Sequence, residues 1–139
     1  MRRVRSKDTS PEIALRKAVW RRGLRYRLHC KELPGRPDLM FASARLVVFI
    51  DGDFWHGGQW RKRGFRSLEE QFEGSASAPY WVGKITRNME RDAATNRRLK
   101  TMGWGVIRVW ESELKADLGD CVERIVEAVR CTQRLANGA

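Results

Sequence analysis

Asp38 and Asp51, separated by twelve residues, and Asp53 just beyond are the side chains of this sequence best suited to holding a hard divalent cation. Carboxylate oxygens fixed close together are what Mg²⁺ requires, and metal-assisted cleavage of a phosphodiester needs such ligands plus a group that can move a proton near neutral pH. Asp38 follows a Pro/Gly turn at Leu33–Pro37 and Asp51 ends an apolar run, so both acids are predicted at adjoining strand ends that a hairpin brings near one another. They also form an island of inverted sign. Residues 37–60 set these three acids against Arg45 alone, whereas residues 1–36 hold twelve Lys/Arg against three Asp/Glu, and residues 61–100 hold ten against five. Ordinary turn acids on a solvated basic surface are the plain alternative.

The basic balance of the whole chain, +11 over 139 residues, points to a polyanionic partner, because clustered cations bind nucleic acid by releasing its condensed counterions. No apolar run approaches the roughly 20 residues of a membrane span, and the basic N-terminus lacks the apolar core of a secretory signal. A cytoplasmic home and no membrane partner are therefore expected. Cys30, Cys121 and Cys131 are odd in number and lack CxxC spacing, which argues against a disulfide framework or a cysteine-rich zinc site. Without repeats or a linker beyond the loose stretch Gly74–Pro79, residues 1–139 are expected to form one domain.

The elements that must position the acids follow from periodicity and punctuation. Ser10-Pro11-Glu12 predicts a helix start with Ser10 as N-cap, running to about Arg22, with Leu15, Ala18 and Val19 on its apolar face and Gly23 as its stop. Asp38–Phe41 and Leu46–Ile50 predict a hairpin. The uniformly apolar Leu46–Ile50 should be a central strand buried on both faces. Val82, Ile85, Met89, Ala93, Asn96 and Leu99 recur at helical spacing, predicting a long helix from about Tyr80 to Met102. Trp104–Trp110 reads as a further strand, and Leu118 to Val129 as a final amphipathic helix. Trp20, Trp104 and Trp110 lie in apolar runs and are expected in the core. Helices bracketing a sheet imply an α/β sandwich.

The spacing of Asp38 and Asp51 resembles the loose PD-(D/E)xK nuclease pattern, although the residue two beyond Asp51 is Asp53 where that pattern has Lys. A longer resemblance is more specific. RSKDTSPE (5–12), RYRLHCKELPGRPDLMF (25–41), VVFIDGDFWHG (47–57), YWVGKITRNMERD (80–92) and GWGVIRVWE (103–111) resemble, in order, the successive motifs of the very-short-patch repair (Vsr) endonucleases. The resemblance implies a restriction-endonuclease-like three-layer α/β/α sandwich with a central mixed sheet. It also implies Mg²⁺- or Mn²⁺-dependent nicking of one strand of double-stranded DNA, in the family 5′ to the thymine of a T:G mismatch. Position by position, Asp38 matches the metal-binding aspartate, and Ile50 matches a residue that lends its backbone carbonyl to the metal. His56 matches the proton-transfer histidine, for which its ordinary pKa of about 6.5 is suited. Glu12 matches a helix acid near the metal-bound water, and Asp92 an acid on the long helix associated with the active site.

Two departures stand out. Asp51 occupies a place where the family often has a second histidine, which leaves its role open between metal binding and proton transfer. The positions matching the family's structural zinc ligands are Asp53, Gly58, Trp60 and Ser112, none of them a thiol or imidazole, so no structural zinc is expected. The loop Gly52–Phe65 would then be stiffened by packing, through Trp60 and Phe65, or be mobile until DNA binds. Phe54 and Trp55 follow Gly52 at a loop tip beside the acids, an unexpected place for large apolar groups unless they meet a partner. The resemblance implies that, with Trp81, they wedge between base pairs while Lys62, Arg63 and Arg66 contact phosphate. A monomer is expected. A restriction, defence or recombination nuclease of the same fold, and a catalytically silent DNA-binding module, are the alternatives that the sequence leaves open.

Overall fold

The computed structural model describes residues 9–53 and 56–137, with side chains through Thr132. Phe54 and Trp55, expected as wedges, lie outside the described residues. Helix α1, Ser10–Arg21, opens the chain. Its N-cap is Thr9 rather than Ser10, and the cap is made by backbone: the Thr9 carbonyl accepts from the Ile13 N–H at 2.9 Å. Glu12, Leu15 and Val19, at helical spacing, form its buried stripe. Strands β1 (Arg27–Leu28), β2 (Leu39–Phe41) and β3 (Leu46–Asp51) follow as an antiparallel meander, with Leu39 opposite Val48 and Met40 opposite Val47.

The chain then crosses over through short helices α2 (Gln59–Lys62) and α3 (Leu68–Gln71) and the long helix α4 (Ala78–Thr101). It returns as strand β4, Gly105–Trp110, parallel to β3, so the sheet is mixed, in the order β1-β2-β3-β4. Helices α5 (Glu111–Ala116) and α6 (Leu118–Asn137) complete the described fold. Among the described residues no helix is long and apolar enough to cross a membrane.

Side chains alternate across a strand, and β3 is buried on both sides, so it serves two different layers. Leu46, Val48 and Ile50 face a core built with Leu15 and Val19 of α1, Leu114 of α5, and Cys121, Val122, Ile125, Val126 and Val129 of α6. Val47 and Phe49 face the opposite layer, where Leu99 of α4 joins Cys30, Met40, Trp104 and Val106. The result is the expected three-layer α/β/α sandwich with a mixed sheet, and the expected hairpin and central strand are present.

Two expectations about packing need correction. Trp20 is 47% exposed, because it follows Val19 on α1 and so points away from the 12-15-19 stripe; the Arg25 guanidinium stacks on its ring at 3.6 Å. On α4, Ala93 and Met89 are exposed, while Ile85 and Leu99 are buried and Asp92 and Asn96 are half-buried between them. The inward face of α4 is therefore polar in its middle, which an apolar repeat does not reveal.

Candidate active site

The sheet's register brings the acids together. Because β2 and β3 are antiparallel, Asp38, immediately before β2, lies beside the end of β3, and its Oδ2 accepts the Ile50 backbone N–H at 2.7 Å. This single bond fixes the Asp38 carboxylate against the strand that carries Asp51. Extension of the β1–β2 pairing, with the His29 N–H donating to the Asp38 carbonyl at 3.2 Å, places His29 next to the same carboxylate. Its ring nitrogens stand 3.9 Å from Asp38 Oδ1 and 3.5 Å from Glu12 Oε1 on the buried stripe of α1. Glu12, His29 and Asp38 thus offer donor atoms that all lie within 4.8 Å of one another, close enough to surround one cation.

A second group gathers on the α4 side of the sheet. Alternation along β3 turns Asp51 toward this layer, where His56 Nδ1 bonds Asp92 Oδ2 at 2.5 Å and stands 3.8 Å from Asp51. Arg108 of β4 donates from one Nη to both Asp51 oxygens at 3.0 Å, approaches Asp92 at 3.6 Å, and donates from Nε to Asn96 at 2.8 Å. A cleft of about 300 Å³ joins the two groups, lined by Asp38, Ile50, Asp51, His56, Asp92 and Arg108, with Arg36 and Arg91 also on its wall. Gly35 lets the loop before Asp38 close onto α4: it has φ +77°, and a Cβ there would meet Thr95 at 2.6 Å.

The electrostatics follow from crowding acids in a partly dry place. Burial pushes the Asp38 carboxyl up to about 6, with the Glu12 and Asp51 charges adding to the rise and the Ile50 N–H and His29 opposing it. Burial likewise raises Asp51, against the pull of His56 and Arg108. For His56, burial alone would lower the pKa. The hydrogen bond to Asp92 and the charges of Asp51 and Asp92 outweigh it, so the imidazole is held above its ordinary value. A bound cation would relieve the repulsion at Asp38, and the donor set of carboxylate oxygens with one imidazole fits a divalent metal ion.

Of the expected site residues, Glu12, Asp38, Ile50, Asp51, His56 and Asp92 are brought together. The contact that Ile50 makes with Asp38 is through its N–H. Lys62, Arg63, Arg66 and Trp81 do not line the cleft. Lys62 and Arg63 are exposed at the end of α2, Arg66 lines a surface hollow with Glu69, Glu70 and Glu73, and Trp81 sits on the first turn of α4, edge-on to the exposed Tyr80.

Sequence reasoning missed His29 and Arg108. The scarcity of histidine could have flagged the first, since both histidines of the chain are at this site. A lone arginine within the apolar run Gly105–Trp110 could have flagged the second, because a charge in a buried strand needs a partner. Three of the four positions matched to zinc ligands make specific contacts. Asp53 accepts from the Ser112 N–H at 3.0 Å and from its hydroxyl at 2.5 Å, tying the loop that leaves β3 to the first turn of α5. Gly58 lies under the Trp110 ring, where a Cβ would come within 2.9 Å, and Trp60 is half-buried in α2.

The model of the family described as DNA mismatch endonuclease Vsr matches residues 1–62. A type II nicking enzyme of Neisseria meningitidis serogroup C is 39% identical over 136 residues, covering 98% of this chain and 87% of the relative. A type II nicking enzyme of Xanthomonas oryzae pv. oryzae is 42% identical over 125 residues, covering 90% and 85%. The DNA mismatch endonuclease Vsr of Escherichia coli is 34% identical over 115 residues, covering 83% of this chain and 69% of its own.

Proposed function

Because the chain belongs to the Vsr family of DNA mismatch endonucleases, we propose that it is a divalent-metal-dependent endonuclease that nicks one strand of double-stranded DNA. The observation that carries this reading is the convergence on one cleft at the end of β3 of Asp38, which has Glu12 and His29 gathered around it, with Asp51, His56 and Asp92.

Asp38, with Glu12 or His29 and the Ile50 carbonyl, would hold the ion. When bound, Mg²⁺ or Mn²⁺ supplies positive charge against the phosphate as negative charge develops on it. The chain's own residues do the rest. The Ile50 N–H fixes Oδ2 of Asp38 and so holds the carboxylate in place, with Oδ1 outside that bond. With Nδ1 of His56 committed to Asp92, proton exchange falls to Nε2, and Asp92 both orients the ring and steadies its charged form. Asp51 keeps a fixed negative charge beside His56. Its role is electrostatic, in place of a second proton carrier.

DNA is held by the basic surface, with Lys62, Arg63 and Arg66 on phosphate. Phe54, Trp55 and Trp81 unstack the duplex at the cut site, which a mismatch makes easier. The protein acts as a monomer inside the cell. Incubation with duplexes carrying a T:G mismatch, a matched site or 5-methylcytosine, in Mg²⁺ or Mn²⁺, tests the reading. Metal-dependent nicks that Asp38→Ala removes while DNA affinity persists are expected. Binding without cleavage of any duplex in either metal would make the chain a silent DNA-binding module, and cleavage of all duplexes alike would remove the mismatch preference.

A further inference from the structure

Two acidic groups of similar compactness meet at the cleft through Asp38 and Asp51, yet they differ in the guanidinium contacts they make. In the Glu12–His29–Asp38 group Arg16 approaches Glu12 at 3.8 Å, and among the described residues no guanidinium is paired with Asp38. The Asp51–His56–Asp92 group has Arg108 built into it. That guanidinium is held on every side: by both Asp51 oxygens at 3.0 Å, by Asp92 at 3.6 Å, by Asn96 at 2.8 Å, and by the Phe49 ring, whose centroid is 4.1 Å away. Its side chain is 18% exposed, so the charge is little screened by water. Arginine does not lose its proton in a protein, and its planar fork suits two-oxygen contact with a carboxylate.

We propose that Arg108 is a resident cation that closes the Asp51–His56–Asp92 group to divalent metal and fixes its side chains before any ligand arrives, leaving the Asp38 group as the metal site of the DNA-free protein. A divalent ion between Asp51 and Asp92 would need oxygen contacts of about 2.0–2.6 Å, and it would have to displace or abut a guanidinium already bonded to the same oxygens. Like-charge repulsion and loss of the Asn96 and Phe49 contacts both oppose that exchange. Arg108 is thus a positioning residue: it acts on Asp51 directly, and on His56 through the shared contacts with Asp51 and Asp92. The inference rests on the nuclease reading only in assigning the ion to Asp38.

Titration of the full chain with Mn²⁺, without DNA and followed by electron paramagnetic resonance, tests it. The wild type is expected to take up one ion per chain, abolished by Asp38→Asn and unaffected in number by Asp51→Asn. Arg108→Gln should raise the count to two, the second ion disappearing again in Arg108→Gln/Asp51→Asn, whereas Arg108→Lys should keep one. A wild-type count of zero, a wild-type count of two that Asp51→Asn reduces, or a folded Arg108→Gln that still binds one ion would overturn the proposal. If circular dichroism shows Arg108→Gln to be unfolded, the wild-type and Asp51→Asn counts decide. Nicking assays keep the two readings apart: one bound ion without cleavage sinks the nuclease, and cleavage with a count other than one sinks the role of Arg108.

Discussion

The two faces of β3 do opposite work. Toward α1, α5 and α6, Leu46, Val48 and Ile50 meet a closed apolar layer in which Leu15, Val19, Ile125 and Val126 are almost wholly buried. Toward α4, Val47 and Phe49 give way to Asp51, and the helix answers with Asp92 and Asn96 rather than with leucines. One six-residue strand therefore separates cohesion from chemistry by alternation alone. The apolar side holds the strand rigid, which lets the polar side keep close-set charges in fixed positions.

The sharpest break of this division is Asp38→Asn. Nicking should fall by about a thousandfold or more, the loss of several kcal/mol of charge stabilisation at the phosphate, with DNA affinity within about threefold of wild type in a filter-binding assay. On the other face Ile125→Ala should cost about 2–4 kcal/mol in urea unfolding and leave the Mn²⁺ count unchanged. A changed count would mean that the two faces are not separable.

The same Asp38→Asn variant also reports on electrostatic cost. The carboxyl of Asp38 binds its proton more tightly in the fold, at about 6 against an ordinary 3.8. Its contribution therefore favours the fold at low pH and is lost as pH rises through about 6. In metal-free protein, Asp38→Asn should raise stability at about pH 7.5 by about 1–3 kcal/mol, and the difference should vanish near pH 4. Metal affinity of the wild type should fall about tenfold per pH unit below about 6, because the proton competes with the ion. Destabilisation by Asn at pH 7.5 would show that Asp38 is not electrostatically frustrated. The smallest expected effect is at the loop: Ser112→Ala should cost about 0.5–2 kcal/mol of thermal stability, and elemental analysis should find no stoichiometric zinc in either protein. A tightly held zinc would mean that the Asp53–Ser112 contact is not what fastens this loop.

The apolar face was the more legible of the two in the sequence. Leu46–Ile50 announces a doubly buried strand, and Leu118 to Val129 an amphipathic helix, because both signals rest on hydrophobic periodicity. The polar face leaves no such trace. Spacing puts Met89 and Ala93 on the inward stripe of α4 together with Asn96, and Asp92 is singled out by family resemblance alone, because spacing cannot tell a buried polar contact from a solvated one. Asp38, Asp51 and His56 were found from acid spacing and family resemblance. His29 was not, since it follows a two-residue strand and adopts φ +47°, a conformation no pattern predicts. Arg108 pairs with a residue 57 positions away, a distance at which only the fold makes them neighbours.

That long crossover has a consequence for the newly made protein. Glu12, His29, Asp38, Asp51, His56 and Asp92 leave the ribosome in chain order, and Arg108 follows them on β4, which can pair with β3 only after α4 has been laid down. A nascent or prematurely terminated chain ending before β4 carries every acid of the cleft without the arginine that binds Asp51. Such a chain also lacks α5 and α6, and with them most of the apolar layer behind β3. The order of synthesis therefore delivers the acids first, and the arginine and apolar layer that frame them last.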